Sequence, residues 1–189
     1  MACQIFGEPE VARWCAELLD EAVGYDSPER PPLSWLGGEH ARVELARGRL
    51  RERGQDYWPR VWAARGLCYA WSETAAGAVR RALADPSWRV RETAARVVRQ
   101  RQLADAAERL AALTRDPVPR VRRAALLALG RVGEVEDVAP VRQGGRDPVP
   151  SVRAAAASAL EQLTAGSTSP TEPWAWELPA VSPTMSGAP

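Results

Sequence analysis

Side chains that can exchange a proton, hold a metal or attack a carbon are scarce in this chain of 189 residues. His40 is its one imidazole. A Ser-His-Asp or Cys-His arrangement needs a histidine as base, so any such site would depend wholly on His40. No cysteine or carboxylate stands at metal-ligand spacing from it, and the chain alone is not expected to bind a metal. Cys3, Cys15 and Cys68 form no CxxC pair and are odd in number, which predicts reduced thiols in an intracellular compartment. Cys68 falls on an apolar helix stripe and reads as a packed thiol. Gly37-Gly38 and Gly144-Gly145 are isolated pairs in expected turns, not a phosphate-cradling loop. No catalytic residue and no cofactor is therefore assigned.

What the sequence does offer is aromatic and cationic. Trp58, Trp62, Trp71 and Trp88, four of eight tryptophans, cluster with Tyr57 and Tyr69 and are interleaved with Arg60, Arg65, Arg89 and Arg91. Such a mixture suits stacking on bases or gripping a pocket on another protein. Trp58 and Trp71 lie near core positions, whereas Trp62 stands where the polar face of a helix is expected. Trp62 and Trp88 are thus the candidate anchors. Further on, Trp174, Trp176 and Leu178 occupy alternate positions. An extended segment would lay them into a groove, on another protein or on this chain's own surface.

The charge is uneven. All 25 basic residues are arginine and the net charge is +1, but residues 1–40 carry −6, residues 41–131 carry +11 and residues 132–189 carry −4. A basic band between acidic ends fits nucleic acid or an acidic protein surface; the plain alternative is arginine solvated or paired with nearby glutamate.

These residues need elements to hold them, and an internal repeat provides them. Asp116-Pro117-Val118-Pro119-Arg120-Val121-Arg122 recurs 31 residues later at Asp147-Pro148-Val149-Pro150-Ser151-Val152-Arg153, with a looser copy at Asp85-Pro86-Ser87-Trp88-Arg89-Val90-Arg91. Ala94, Val97 and Val98 then match Ala125, Ala128 and Leu129, and again Ala156, Ala159 and Leu160. A fourth, diverged copy starts at Asp56 and keeps Pro59, Val61, Ala64, Cys68 and Tyr69, with Trp62 in place of the arginine after valine. Each copy reads as a helix pair. Asp caps the second helix, Pro suits its first turn, and small alanines let a neighbour approach. First helices are expected at roughly 40–53, 73–84, 105–114 and 135–143, with a capping box at Asp105 and Glu108 and helix ends at Gly54 and Gly130. Pairs this short bury their apolar faces only when stacked.

The repeats resemble the HEAT-repeat family, in particular the short HEAT-like repeats of phycobilisome lyase-type proteins, over about residues 40–164. The Asp-Pro-x-x-x-Val-Arg signature stands in three copies and is partial at Asp56. The resemblance implies a polar ladder along the second helices, built here from Asp85, Asp116 and Asp147 with Arg91, Arg122 and Arg153 and broken at Trp62. It also implies that second helices line a concave face, gathering Arg60, Arg89, Arg120 and Arg123 beside Trp62 and Trp88. DNA-binding HEAT-like glycosylases share a basic, aromatic concave face, but none of their catalytic residues is matched.

The expected fold is all-α: an α-solenoid of about four HEAT-like helix pairs, at about 39–71, 72–101, 102–132 and 133–164. Before it come a capping helix over 8–24, ending at Gly24, and a turn-rich connection, together 1–38. After it residues 165–189, rich in Pro, Ser and Thr, are expected to be disordered. The N-terminus lacks the pattern of a signal peptide and no window is apolar enough to span a bilayer, which reads as cytoplasmic. The expected function is a non-catalytic scaffold or adaptor that binds another protein or peptide. The alternative is nucleic-acid binding through the basic band, and a lyase-like action on a bound cofactor ranks below both. Oligomeric state is left open.

Overall fold

The computed structural model describes residues 2–22, 32–48, 50 and 53–166. Among these, every regular element is helical. The α-helices are α1 Ala2–Phe6, α2 Glu8–Leu19, α3 Ser34–Ala46, α4 Trp58–Gly66, α5 Ala76–Ala82, α6 Trp88–Arg101, α7 Ala107–Leu113, α8 Pro119–Val132, α9 Val138–Gly144 and α10 Pro150–Gly166. Three-residue 3₁₀ turns, Glu73–Ala75, Ala104–Ala106 and Val135–Asp137, lead into α5, α7 and α9.

Helices α4, α6, α8 and α10 stack in order, while α5, α7 and α9 each pack on the helix that follows. Helices of seven residues are marginal alone, so stacking must stabilise them. The repeat pattern supplies the contacts. Val61, Val90, Val121 and Val152 are buried at one position of each second helix, as are Ala94, Ala125 and Ala156 one turn on. The solenoid expected from the repeats is the fold observed.

The N-terminal end differs in detail from expectation. Helix α2 stops at Leu19 and Glu21 takes a left-handed backbone, φ 53°, before Gly24 is reached; Gly24 lies outside the described residues. Helix α2 packs along α4 and reaches α5, with Arg81 bound to Asp20 at 2.6–2.9 Å. Helix α3 packs on α4 as well, so the two close this end together. The first helix expected at 40–53 begins earlier, at Ser34, and the Trp35-Leu36-Gly37-Gly38 stretch expected as a turn is helical with a kink at Gly38, φ 67°. Gly37 explains the shift: a Cβ there would fall 2.6 Å from the Trp62 ring, so only glycine lets α3 lie on that indole.

Other expectations are adjusted. Gly130 does not end a helix; it lies inside α8, where a Cβ would meet Ala159 Cα at 2.6 Å. The capping box stands at Glu134 and Asp137, not at Asp105 and Glu108. Tyr69 is 79% exposed because α4 ends at Gly66. Residues from Ser167 onward, including Trp174, Trp176 and Leu178, lie outside the described residues.

Candidate functional site

The turn between the two helices of each repeat builds the ladder. Asp85, Asp116 and Asp147 each accept, through Oδ1, the backbone N–H two residues on, from Ser87, Val118 and Val149 at 2.7–2.9 Å. This closes an Asx turn one step ahead of the helix, so each Asp shapes the entry rather than capping the helix itself. The second oxygen serves the neighbouring repeat. Arg91 Nε donates to Asp116 Oδ2 at 2.8 Å and Arg122 Nε to Asp147 Oδ2 at 2.6 Å. Nη1 of each arginine binds carbonyls of its own turn: Asp85 and Pro86 for Arg91, Asp116 and Pro117 for Arg122. The hydrogen bond from Arg122 holds Asp147 below the usual carboxylate range, against the effect of burial, and Asp147 in turn raises Arg122.

Arg60 belongs to this ladder. Its Nε donates to Asp85 at 2.7 Å and Nη1 to Glu21. The ladder is therefore not broken at Trp62, because Arg60 reaches Asp85 from two residues earlier. Arg60 is correspondingly withdrawn from the candidate contact residues, since its donors are engaged within the chain.

Trp62 is corrected too. It is 3% exposed, stacked on Trp58 at 5.8 Å between ring centroids and met edge-on by His40 at 6.4 Å. The cause is α3, which covers the face of α4 that the later second helices leave open. Exposed His40 lies over this cluster and also meets Trp58 edge-on. Burial, with a smaller contribution from Cys3, pushes the Cys15 thiol to about 12, and burial raises Cys68. Both thiols are held protonated.

The remaining candidates do come together. Trp88 and Arg89, both half-buried, open α6. The Arg89 guanidinium lies 4.4 Å from the Trp88 ring centroid, 5.5 Å from Tyr57 and 5.7 Å from Trp58. Exposed Arg120, opening α8, lies 5.6 Å from Trp88. The result is an alternating row, Trp58, Arg89, Trp88, Arg120, across the start of three stacked helices. The Arg89 guanidinium makes no hydrogen bond or ion pair with any described residue, so its orientation comes from ring faces and its N–H donors stay available. Exposed Arg123 sits beside Glu92, Arg96 and Arg99. Glu92 lies 3.5 Å from Arg120 and 3.6 Å from Arg96, the acid that ties this basic face together.

Two participants escaped sequence reasoning. Glu92 was hidden because nothing marks one glutamate among many. Arg101 looked like another surface arginine, yet it donates to the carbonyls of Leu67 and Cys68 at 2.9–3.1 Å and lies over Trp71, closing the end of α4. A basic residue in the last turn of one helix capping its neighbour's last carbonyls would have been the signal.

Among the described residues no group of three or more His, Cys, Asp and Glu side chains is placed to hold a metal, and no helix is long and apolar enough to cross a membrane.

A stacked array of short helix pairs, tied by Asp–Arg bonds between their turns, is the architecture of a helical-repeat protein. The family model for HEAT repeats matches residues 48–117 and 81–161, and the chain belongs to the HEAT-repeat family. A structure of human deoxyhypusine hydroxylase in complex with glycerol is similar, at 29% identity and a TM-score of 0.51, over 62% of this chain and 43% of that one. The chain thus spans less than half the length of that enzyme. A search of curated proteins finds no match.

Proposed function

We propose that this HEAT-repeat protein is a non-catalytic scaffold that binds another protein or a peptide across the row that contains Trp88, Arg89 and Arg120 and the adjoining basic face at Arg123. The observation that carries this reading is Arg89. Its guanidinium is oriented by three aromatic rings and faces no carboxylate of the described chain. A guanidinium held this way binds a partner's carboxylate at reduced entropic cost, and the half-buried Trp88 beside it offers an apolar anchor. The solved relative is an enzyme, yet what supports a non-catalytic role here is that the one imidazole packs edge-on against two indoles. Affinity purification with the full chain as bait tests the reading. Arg89→Ala and Trp88→Ala should each lose at least ten-fold of the recovered partner with helical content unchanged; undiminished recovery rejects the site.

A second reading is favoured by Arg96, Arg99 and Arg123, which line one cleft with Glu92, itself 3.6 Å from Arg96. It predicts nucleic-acid binding whose affinity falls steeply with salt. No retention of DNA or RNA at low salt removes it. The finer resemblance to lyase-type repeats implies a bound chromophore or other cofactor, for which visible absorbance of the purified chain is the test.

A further inference from the structure

Exposed apolar side chains concentrate at the N-terminal end of the stack. Of the five large ones exposed among the described residues, Phe6, Trp35 and Tyr69 meet around one cavity. The rings of Phe6 and Trp35 lie 5.6 Å apart, and Trp35 and Tyr69 both line the cavity, whose volume is about 290 Å³. Single exposed hydrophobic residues are ordinary, whereas three gathered at one hollow mark a place where something binds.

The hollow exists because helices of different origin meet there. Helices α1, α2 and α3 contribute Ala2, Val11 and Leu36, and the end of α4 contributes Arg65. Its floor is closed at Gly66, where an added Cβ would stand 2.7 Å from Cys15 Sγ and 3.2 Å from Leu36 Cδ2. Val11 is buried, so the inner wall is apolar, while Trp35 and Tyr69 are exposed and form the rim. Arg65 is the one charged residue in the lining. Its guanidinium has no hydrogen bond or ion pair with any described residue, and no carboxylate lines the cavity to neutralise it.

We propose that this cavity binds a small aromatic monocarboxylate, its ring inside against Val11 and Leu36 and its carboxylate on Arg65. Charge sets the acid: one uncompensated guanidinium matches one carboxylate through two parallel N–H donors, and a second negative charge would lie unpaired against apolar walls. The exposed rings at the rim suit a flat body, which stacks offset on an indole or a phenol. Size selects a small molecule over a peptide helix. A sphere of 290 Å³ is about 8 Å across, narrower than a helix of about 10–12 Å, and the volume lies near the low end for small-molecule pockets, about 300 Å³.

The probe is 2-naphthoate, titrated into the full chain by calorimetry beside its neutral amide, 2-naphthamide. Naphthoate should bind the more tightly. Arg65→Gln, a change at an exposed side chain, should weaken naphthoate about ten-fold and leave the amide within about two-fold. Cys3, exposed and part of the lining, reports occupancy independently. Its alkylation by N-ethylmaleimide, followed by peptide mass, should slow when naphthoate is added to wild type and not when it is added to Arg65→Gln. Equal binding of acid and amide, undiminished binding by Arg65→Gln or an unprotected Cys3 overturns the proposal. Loss of naphthoate binding in Arg89→Ala with Arg65→Gln unaffected would place the acid on the row at Trp88 and overturn it as well. Cys3 protection that rises with protein concentration in the absence of acid overturns it in favour of a second copy of the chain.

Discussion

The last three second helices and the first solve the same problem differently. In α6, α8 and α10 the arginine after the buried valine grips its own turn, and in α6 and α8 it reaches the next repeat's aspartate. In α4 that position is Trp62, which has turned inward under α3, and Arg60 takes over the aspartate. The regular repeats are joined by polar bonds whose geometry fixes register. The first is joined by an aromatic cluster with one arginine beside it. What is kept is the carboxylate of Asp85, and the chain meets it from whichever side chain the neighbouring packing leaves free.

That contrast predicts where the protein breaks. Trp62→Ala removes the centre of the N-terminal cluster and should cost about 3–5 kcal/mol, the range for a large aromatic in a packed core. Because repeat arrays lose stability locally, hydrogen exchange should show the loss in α3 and α4 first, with α8 and α10 protected. Asp116→Ala strikes the polar joint instead. It deprives Arg91 of its acceptor and the turn of its N–H partner, at about 3 kcal/mol, the low end for a broken buried pair because Arg91 keeps its carbonyl bonds. Chemical denaturation of both variants measures the difference, and equal loss of protection along the whole chain would show that the two joints are not independent.

The difference between the regions also decided what could be read from sequence. Repeated spacing exposed the three regular units, their buried valines and alanines, and the ladder, because each of those roles recurs with the same residue type. Trp62 and Arg60 were misplaced because the copy at Asp56 has no second example and because the element covering Trp62 comes from a stretch read as turn. Gly37 looked like punctuation; it is a contact surface. The row at Trp88, Arg89 and Arg120 was legible as composition, but the ring-to-guanidinium alternation depends on stacking three helices side by side, which periodicity alone does not give.

Glycine separates the two ends further. An alanine in place of a helical glycine ordinarily gains about 1 kcal/mol of helix propensity. At Gly130 the added Cβ meets the Ala159 backbone, and at Gly37 it meets Ala41 and the Trp62 ring. Both substitutions should therefore destabilise, by about 1–3 kcal/mol. Gly130→Ala should be the worse, since the backbone of α10 is held by its own turn while α3 packs chiefly on α4 and can lift away. Thermal unfolding midpoints will rank them, and the reverse order would mean that α3 is the more firmly fixed.

Acid should act on the regular region through Asp147. Asp147 is held below its ordinary range by Arg122 in the folded chain, so its contribution to stability is complete above the unfolded pKa of about 4 and is lost as pH falls through the lower folded value. Asp147→Asn removes that dependence. Its stability relative to wild type should improve steadily from pH 5 downward, and curves that stay parallel would assign the acid sensitivity elsewhere.

The smallest effect on stability is expected where the largest effect on binding is proposed. Arg89 and Arg91 are two residues apart on α6, yet Arg91 bridges two repeats while Arg89 touches only ring faces. A cation over half-buried aromatics is worth about 1 kcal/mol, between the exposed and desolvated limits, so Arg89→Ala should unfold within about 1 kcal/mol of wild type. Arg91→Ala, which strands a buried aspartate, should lose more. The pair tests the division of labour along one helix turn, because a residue kept for packing would show its loss in the denaturation curve. If Arg89→Ala proves as costly as Arg91→Ala, the aromatic row is part of the joint between repeats and not a surface reserved for a partner.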